Sequence, residues 1–344
     1  MTPPPPLLEV DDLRVVFPGR RSLLSRQTTP DVCAVDGVTL QVDRGEMLAI
    51  VGESGCGKTT TLQSILGMAP TAAGSVRING TEVIGRSAKQ MRPLRRHAQM
   101  IYQDPYEALD VRFRVWQTIE EPLLVHGIGR SRAERSDLIR ASLERAELTP
   151  ADAFTDRYPH ELSGGQRQRV AIAASLVLEP DLLLADEPVS MLDVSVRAGV
   201  LSLLDGLRKD GRMGIVMITH DLSTAAHFAD RIAVMYLGRI VEQGPARAVI
   251  HDPQHPYTKA LLSIVPRPDP REQAWGQILQ GEAPNPADVP PGCRFHPRCP
   301  AVTTGCDADD PVLRPVGVPD SGHQAACLLL DRAAASRDVD GGRT

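Results

Sequence analysis

The sequence predicts an α/β fold, a parallel sheet with helices on both faces, joined to an antiparallel β portion and followed by a small cysteine-rich C-terminal extension. Three observations carry this expectation. From Glu46 onward, apolar runs of strand length ("MLAIV", "DLLLAD", "GIVMITH") alternate with helical stretches at 131 to 146 and 194 to 209. Earlier, "LEVDDLRVVF" and "AVDGVTLQV" read as short strands bounded by turn residues. Between the two patterns, "GESGCGKTT" sits at the junction of a strand and a helix, with the spacing G-x-x-x-x-G-K-[ST] of a phosphate loop.

The elements follow in order. The N-terminal "MTPPPPLLEV" lacks the basic and apolar regions of a secretory signal. The two early strands come next, then "MLAIV", the loop, and a helix through "TLQSILGM". The basic cluster "RSAKQMRPLRR" reads as a solvated helix face. After the alternating region, "RIAVMYLGRIVEQG" holds two strand-like runs around Leu237 and Gly238, and "HPYTKALLSIVP" holds a helix. Residues 266 to 292 are rich in proline and polar side chains and read as a linker, and the tail from 331 to 344 reads as disordered. Expected boundaries are therefore 1–265 for the main domain, 266–330 for the extension and 331–344 for the tail.

Bulk properties narrow the setting. The 344 residues suit about two domains of ~150 residues. A net charge of −5 gives no reason to expect a nucleic-acid partner. No run reaches the ~18 apolar residues of a membrane helix, since "VAIAASLVL" is halted by Glu179, Pro180 and Asp181. A cytosolic setting is expected, with the six cysteines reduced or metal-bound rather than paired.

The chemistry starts at the loop. Backbone N–H groups of Gly52, Glu53, Ser54, Gly55, Cys56, Gly57, Lys58, Thr59 and Thr60 would wrap a polyphosphate, Lys58 would reach the outer phosphates, and Thr59 would offer its hydroxyl to Mg²⁺. Downstream, "DLLLADEP" is an apolar strand ending in two acids, where Asp186 would hold Mg²⁺ and Glu187 would face the terminal phosphate. Between them, Ser163, Gly164, Gly165 and Gln166 in "LSGGQRQRVAIA" open a helix with small residues, a second start able to grip phosphate.

This combination resembles the ATP-binding cassette (ABC) superfamily of P-loop NTPases, whose signature is LSGGQ. The resemblance implies a helical subdomain at about 104–178, ATP and Mg²⁺ as substrate and cofactor, and two subunits paired head to tail, each signature closing over the other's nucleotide. It also implies roles for Gln103 in "MIYQDP" near Mg²⁺ and the attacking water, His220 in "MITHD" on the γ-phosphate, and Asp193 in "SMLD" near the partner subunit. Phe17 is a candidate for stacking on adenine, with core packing the alternative. Met191 and Ala174 depart from the common family residues, alanine and arginine, while Cys33 and Cys56 read as packing residues. Chromosome- or repair-type cassettes carry a long coiled coil between loop and signature, and translation-type proteins carry two cassettes; this chain has neither heptads there nor a second cassette.

The wording "YQDPYEAL", "DEPVSMLDVSV", "HPYTKALL" and "GCRFHPRCP" further resembles the ATPase subunits of dipeptide and oligopeptide importers, particularly the F-type, from about residue 7 to 327. That resemblance implies a second ATPase of D-type, two transmembrane permease subunits, an extracytoplasmic solute-binding protein and a place on the cytoplasmic membrane face. Nickel, glutathione or another small solute remains an alternative cargo. In the extension, Cys293, Cys299, Cys306 and Cys327 have the order C-x5-C-x6-C-x20-C in a segment with few large apolar side chains. A piece this small needs a metal, disulfides or docking to a larger body. The resemblance implies a [4Fe–4S] cluster on the four thiolates; zinc with His296 or His323, and a docked extension with reduced cysteines, are the alternatives.

Overall fold

Apolar strands buried on both faces need helices or a second sheet on each side, and the chain supplies both. The computed structural model describes residues 5–19, 30–264, 281, 284–318 and 321–330. The predicted tail and most of the predicted linker lie outside the described residues. The strands are β1 (Leu8–Phe17), β2 (Val32–Val42), β3 (Met47–Val51), β4 (Thr71–Ile78), β5 (Thr81–Glu82), β6 (Ala98–Ile101), β7 (Leu182–Asp186), β8 (Gly214–Thr219), β9 (Arg231–Tyr236), β10 (Arg239–Pro245), β11 (Arg314–Pro315) and β12 (Gln324–Ala325). They form a sheet ordered β2-β1-β4-β5 and a larger one ordered β11-β12-β10-β9-β3-β8-β7-β6.

The larger sheet is parallel from β9 through β6. Every residue of β3, β7 and β8 is buried, as expected for strands covered on both faces. Alternation then sorts the side chains. Leu182, Leu184, Val216 and Ile218 face the antiparallel sheet, whereas Leu183, Ala185, Ile215 and Met217 face the opposite cluster. The antiparallel sheet recruits strands from both sides of the phosphate loop: Leu8 of β1 lies opposite Val42 of β2 and also opposite Ile78 of β4. Only β1 and β2 were expected there.

The helices expected at 131 to 146 and 194 to 209 appear as Arg132–Arg145 and Val194–Lys209. Ser131 starts the first by accepting the Glu134 N–H, a cap worth about 1 kcal/mol. Helices Val115–His126, Arg132–Arg145 and Gly164–Leu176 share one apolar cluster through Ile119, Leu123, Ile139, Leu143 and Val170. That cluster sets the N-terminus of Gly164–Leu176 on the surface. The basic helix Ala88–His97 buries only Met91 and Leu94, in keeping with a solvated face.

The extension docks on the core by strand pairing and aromatic packing. Its strand β12 pairs with β10, Glu242 opposite Ala325, so the extension continues the main sheet. Phe295 is buried against Tyr236 and Tyr257, with ring centroids 5.4 Å apart in each case. The expected [4Fe–4S] site is not supported. Burial, together with repulsion from Cys327, Cys299 and Cys306 and against a hydrogen bond from the Phe295 N–H, pushes the Cys293 thiol up to about 11, and burial likewise raises Cys299 and Cys327. Among the described residues no three His, Cys, Asp or Glu side chains form a group that could hold a metal ion, and all six cysteines are free thiols. Of the two histidines named for the zinc alternative, His323 is buried with Nε2 2.8 Å from Glu242 Oε1, and His296 Nδ1 lies 3.0 Å from the Cys293 carbonyl oxygen.

Because aromatic packing anchors the extension, Phe295→Ala should destabilise its docking by roughly 3–5 kcal/mol. Chemical denaturation together with limited proteolysis of the C-terminal segment measures this, and the nick should precede cleavage in the sheet core.

Candidate active site

β3 leaves the sheet core at Val51, and the helix Lys58–Ile65 begins seven residues later; the intervening turn has little freedom. A Cβ on Gly52 would lie 2.2 Å from the Met235 carbonyl oxygen, and one on Gly57 would lie 2.2 Å from that of Ala34, so both positions exclude side chains. The close backbone approach aims loop N–H groups and a helix N-terminus at one point. Lys58 is buried beneath the loop, its Nζ donating to the carbonyl oxygens of Gly52 and Glu53, both at 2.8 Å.

The acids arrive on β7. Asp186 is nearly fully buried, and Thr59 Oγ1 donates to its Oδ1 at 3.2 Å, bringing a hydroxyl and a carboxylate from two elements together. Burial raises the Asp186 carboxyl above its usual range; the Thr59 hydroxyl and Lys58 oppose the shift while Glu187 adds to it. A divalent cation offsets this cost, and this oxygen pair fits Mg²⁺. Glu187 stands just beyond the strand at φ 44°, a left-handed backbone that costs a non-glycine residue about 1–3 kcal/mol. Its Oε2 accepts from Gln103 Nε2 at 3.1 Å and lies 3.3 Å from His220 Nδ1. Gln103 and His220, each just past the end of a strand, thus converge on one carboxylate oxygen of Glu187.

A cavity of about 320 Å³ lies over this arrangement. Ser54, Gly55, Gly57, Lys58, Thr59 and Thr60 form its floor, and Gln103 and Glu187 form one side. Phe17, about two-fifths exposed, forms a wall rather than joining the core. Sequence reasoning missed Cys33 and Ala34, the hairpin tip Leu237–Gly238, and Pro286 of the extension, all of which line the same cavity. The hairpin was legible, but nothing local tied its tip to the loop: Gly238 donates to the Cys56 carbonyl at 2.8 Å.

Other expected site residues lie elsewhere. Ser163 caps helix Gly164–Leu176, which Gly164, Gly165 and Gln166 begin, and none of the four lines the cavity. Ser163 and Gln166 form a reciprocal cap, Gln166 Oε1 accepting from Ser163 N at 3.0 Å and Ser163 Oγ from Gln166 N at 3.3 Å. Asp193 is exposed at the start of helix Val194–Lys209, also outside the cavity. Within one chain this helix start does not reach the cavity, and Ser163 at its cap is exposed.

Comparison with known proteins gives this arrangement its context. A family profile described as "ABC transporter" matches residues 35–190, and one described as "Oligopeptide/dipeptide transporter, C-terminal region" matches residues 241–306. The chain is 42% identical over 328 residues to the oligopeptide transport ATP-binding protein OppF of Salmonella typhimurium, covering 94% of this chain and 96% of that one. The chain belongs to the ABC transporter ATPase family. It is also 43% identical over 325 residues to a putative peptide import ATP-binding protein of Brucella ovis, covering 94% and 98% of the two chains. Among solved structures, the dimeric post-hydrolysis state of the ATP-binding cassette MJ0796 bound to ADP and Pi matches with a TM-score of 0.61 at 27% identity, over 70% of this chain and 99% of that one. This ABC ATPase therefore hydrolyses ATP in the service of transport, and among its described residues no helix is long and apolar enough to cross a membrane.

The raised Asp186 pKa has a testable sign. A carboxyl whose folded-state pKa exceeds its unfolded value costs stability once ionised, and this cost vanishes below the unfolded value of about 3.9. Asp186→Asn should therefore raise the melting temperature of the nucleotide-free ATPase at pH 7, with the gain disappearing as pH falls below about 4. Thermal scans across pH measure the gain, and the same variant should lose Mg²⁺-dependent ATP hydrolysis.

Proposed function

We propose that this ATPase is the motor subunit of an importer for di- or oligopeptides. The observation that carries the reading is similarity along nearly the whole chain, extension included, to proteins named for oligopeptide and peptide import. In this reading residues 1–265 bind and hydrolyse ATP, 104–178 form the helical signature subdomain, and 266–330 form an extension docked on the core. The chain works peripherally at the cytoplasmic membrane face with two transmembrane permease subunits, which receive solute from an extracytoplasmic binding protein.

A second ATPase, of D-type, completes the site. The Ser163–Gln166 helix start and Asp193 support this, because both lie outside their own chain's cavity and are free to close over a partner's nucleotide. Lys58 and the loop N–H groups bind the phosphates, Phe17 stacks on the adenine, and Thr59, Asp186 and Gln103 hold Mg²⁺. The metal, when bound, neutralises charge on the phosphate oxygens. Glu187 accepts a proton from the attacking water, with Gln103 and His220 orienting its carboxylate, and His220 holds the γ-phosphate. Opening of the pair after hydrolysis resets the permease.

Glu187→Gln keeps the shape and the hydrogen bonds but removes the base. In the reconstituted complex it should retain ATP binding while hydrolysis falls by about 10²-fold or more. Proteoliposomes carrying the wild-type complex and its binding protein should take up labelled tripeptide on ATP addition; uptake of nickel or glutathione with no peptide uptake would replace the peptide assignment by the alternative.

A further inference from the structure

The second residue of the phosphate loop, Glu53, is an acid, and it places a negative charge beside the groove where polyphosphate binds. Like charges there oppose binding. The structure shows where that charge goes. Arg298 of the extension grips Glu53 through both guanidinium nitrogens, Nη1 to Oε2 at 2.7 Å and Nη2 to Oε1 at 3.0 Å. The fork is bidentate and the Arg298 side chain only 6% exposed, conditions under which such a pair is geometrically specific and little screened by salt.

The Glu53 backbone is held as firmly as its side chain. Its N–H donates to Tyr257 Oη at 2.9 Å, and its carbonyl is one of the two carbonyl oxygens that hold Lys58 Nζ, beside Cys56 Sγ at 3.7 Å. Tyr257 itself is buried and packs on Phe295 of the extension. On the other side of Phe295, Arg294 donates to the Leu237 carbonyl and pairs with Asp36, and the adjoining Gly238 bonds the Cys56 carbonyl. Two arginines flanking one buried aromatic thus tie the extension to both flanks of the loop.

We propose that the C-terminal extension positions the phosphate loop for ATP, with Arg298 as a positioning residue that neutralises Glu53 and fixes the peptide whose carbonyl orients Lys58. This rests on the reading of Gly52 to Thr60 as the ATP phosphate site. Nucleotide affinity is then set in part from outside the ATPase core, and release of the extension weakens ATP binding without touching Glu187 or His220.

The test is a double-mutant cycle in the purified ATPase–permease complex. Arg298→Ala should raise KM for ATP about tenfold, near 1.4 kcal/mol, with kcat held within about twofold. The same change made on a Glu53→Gln background should raise KM by less than about threefold, because the charge to be neutralised is gone. Arg298→Lys, which keeps the charge but not the fork, should fall between, and it serves in place of Arg298→Ala if that variant does not fold. A KM within about twofold of wild type for the Arg298 variants, even with a lowered melting temperature, would overturn the proposal, as would strictly additive effects in the cycle. Lys58→Ala measured alongside separates the two readings. Lost ATP binding there with unaltered Arg298 variants overturns the positioning role alone, whereas retained ATP binding overturns the phosphate-loop assignment and the proposal with it.

Discussion

The site depends on how closely the backbone at Gly52 and Gly57 approaches its neighbours. Each glycine presses against a carbonyl oxygen of another strand, so the loop cannot drift without unpacking Met235 or Ala34. Everything else is referenced to that contact. The carbonyls that hold Lys58, the turn into helix Lys58–Ile65 and the hydroxyl that meets Asp186 all follow from it. A side chain at either glycine would cost more than local strain, because it would shift the axis along which the loop N–H groups point.

Around this fixed loop the charges are arranged in unlike environments. Asp186 is buried, with its ionised form disfavoured until a cation arrives; Glu187, one residue on, is held by Gln103 and His220 at a strained backbone position. Asp36, also buried, is treated differently. Burial would raise its carboxyl, but Arg239, Arg294 and Arg14 hold it below the usual range, making it a structural anchor for the hairpin and the extension. Adjacent acids thus take separate tasks according to which cations the fold brings near them.

Much of this was legible in the sequence because its signals are local. A strand, a glycine-rich turn and a helix read directly from "GESGCGKTT", and two acids at the end of an apolar run mark a strand's exit from the core. The helix 194 to 209 matched residue for residue, since its apolar period runs its full length. What could not be read was non-local. β4 joins β1 across the loop, and β11 and β12 are two residues each, too short to show a period. Arg298 and Glu53 lie 245 residues apart with nothing in either neighbourhood to link them. Four cysteines gave a count of donors, but the count was silent on how the extension docks and on the contacts His323 makes with Glu242 and His296 with a carbonyl.

The pairing of β12 with β10 bears on the chain as a physical object in a crowded cell. An uncovered outer strand offers its N–H and C=O groups to any extended peptide or to another copy of the chain. Here the chain's own terminal segment occupies that place, and the outermost strand, β11, is two residues long and contains Pro315, which has no N–H to donate. The extension therefore seals a sheet that would otherwise be adhesive. Shortening the chain from its C-terminus would leave the nucleotide machinery's sequence intact yet turn the outer strand into a template for aggregation.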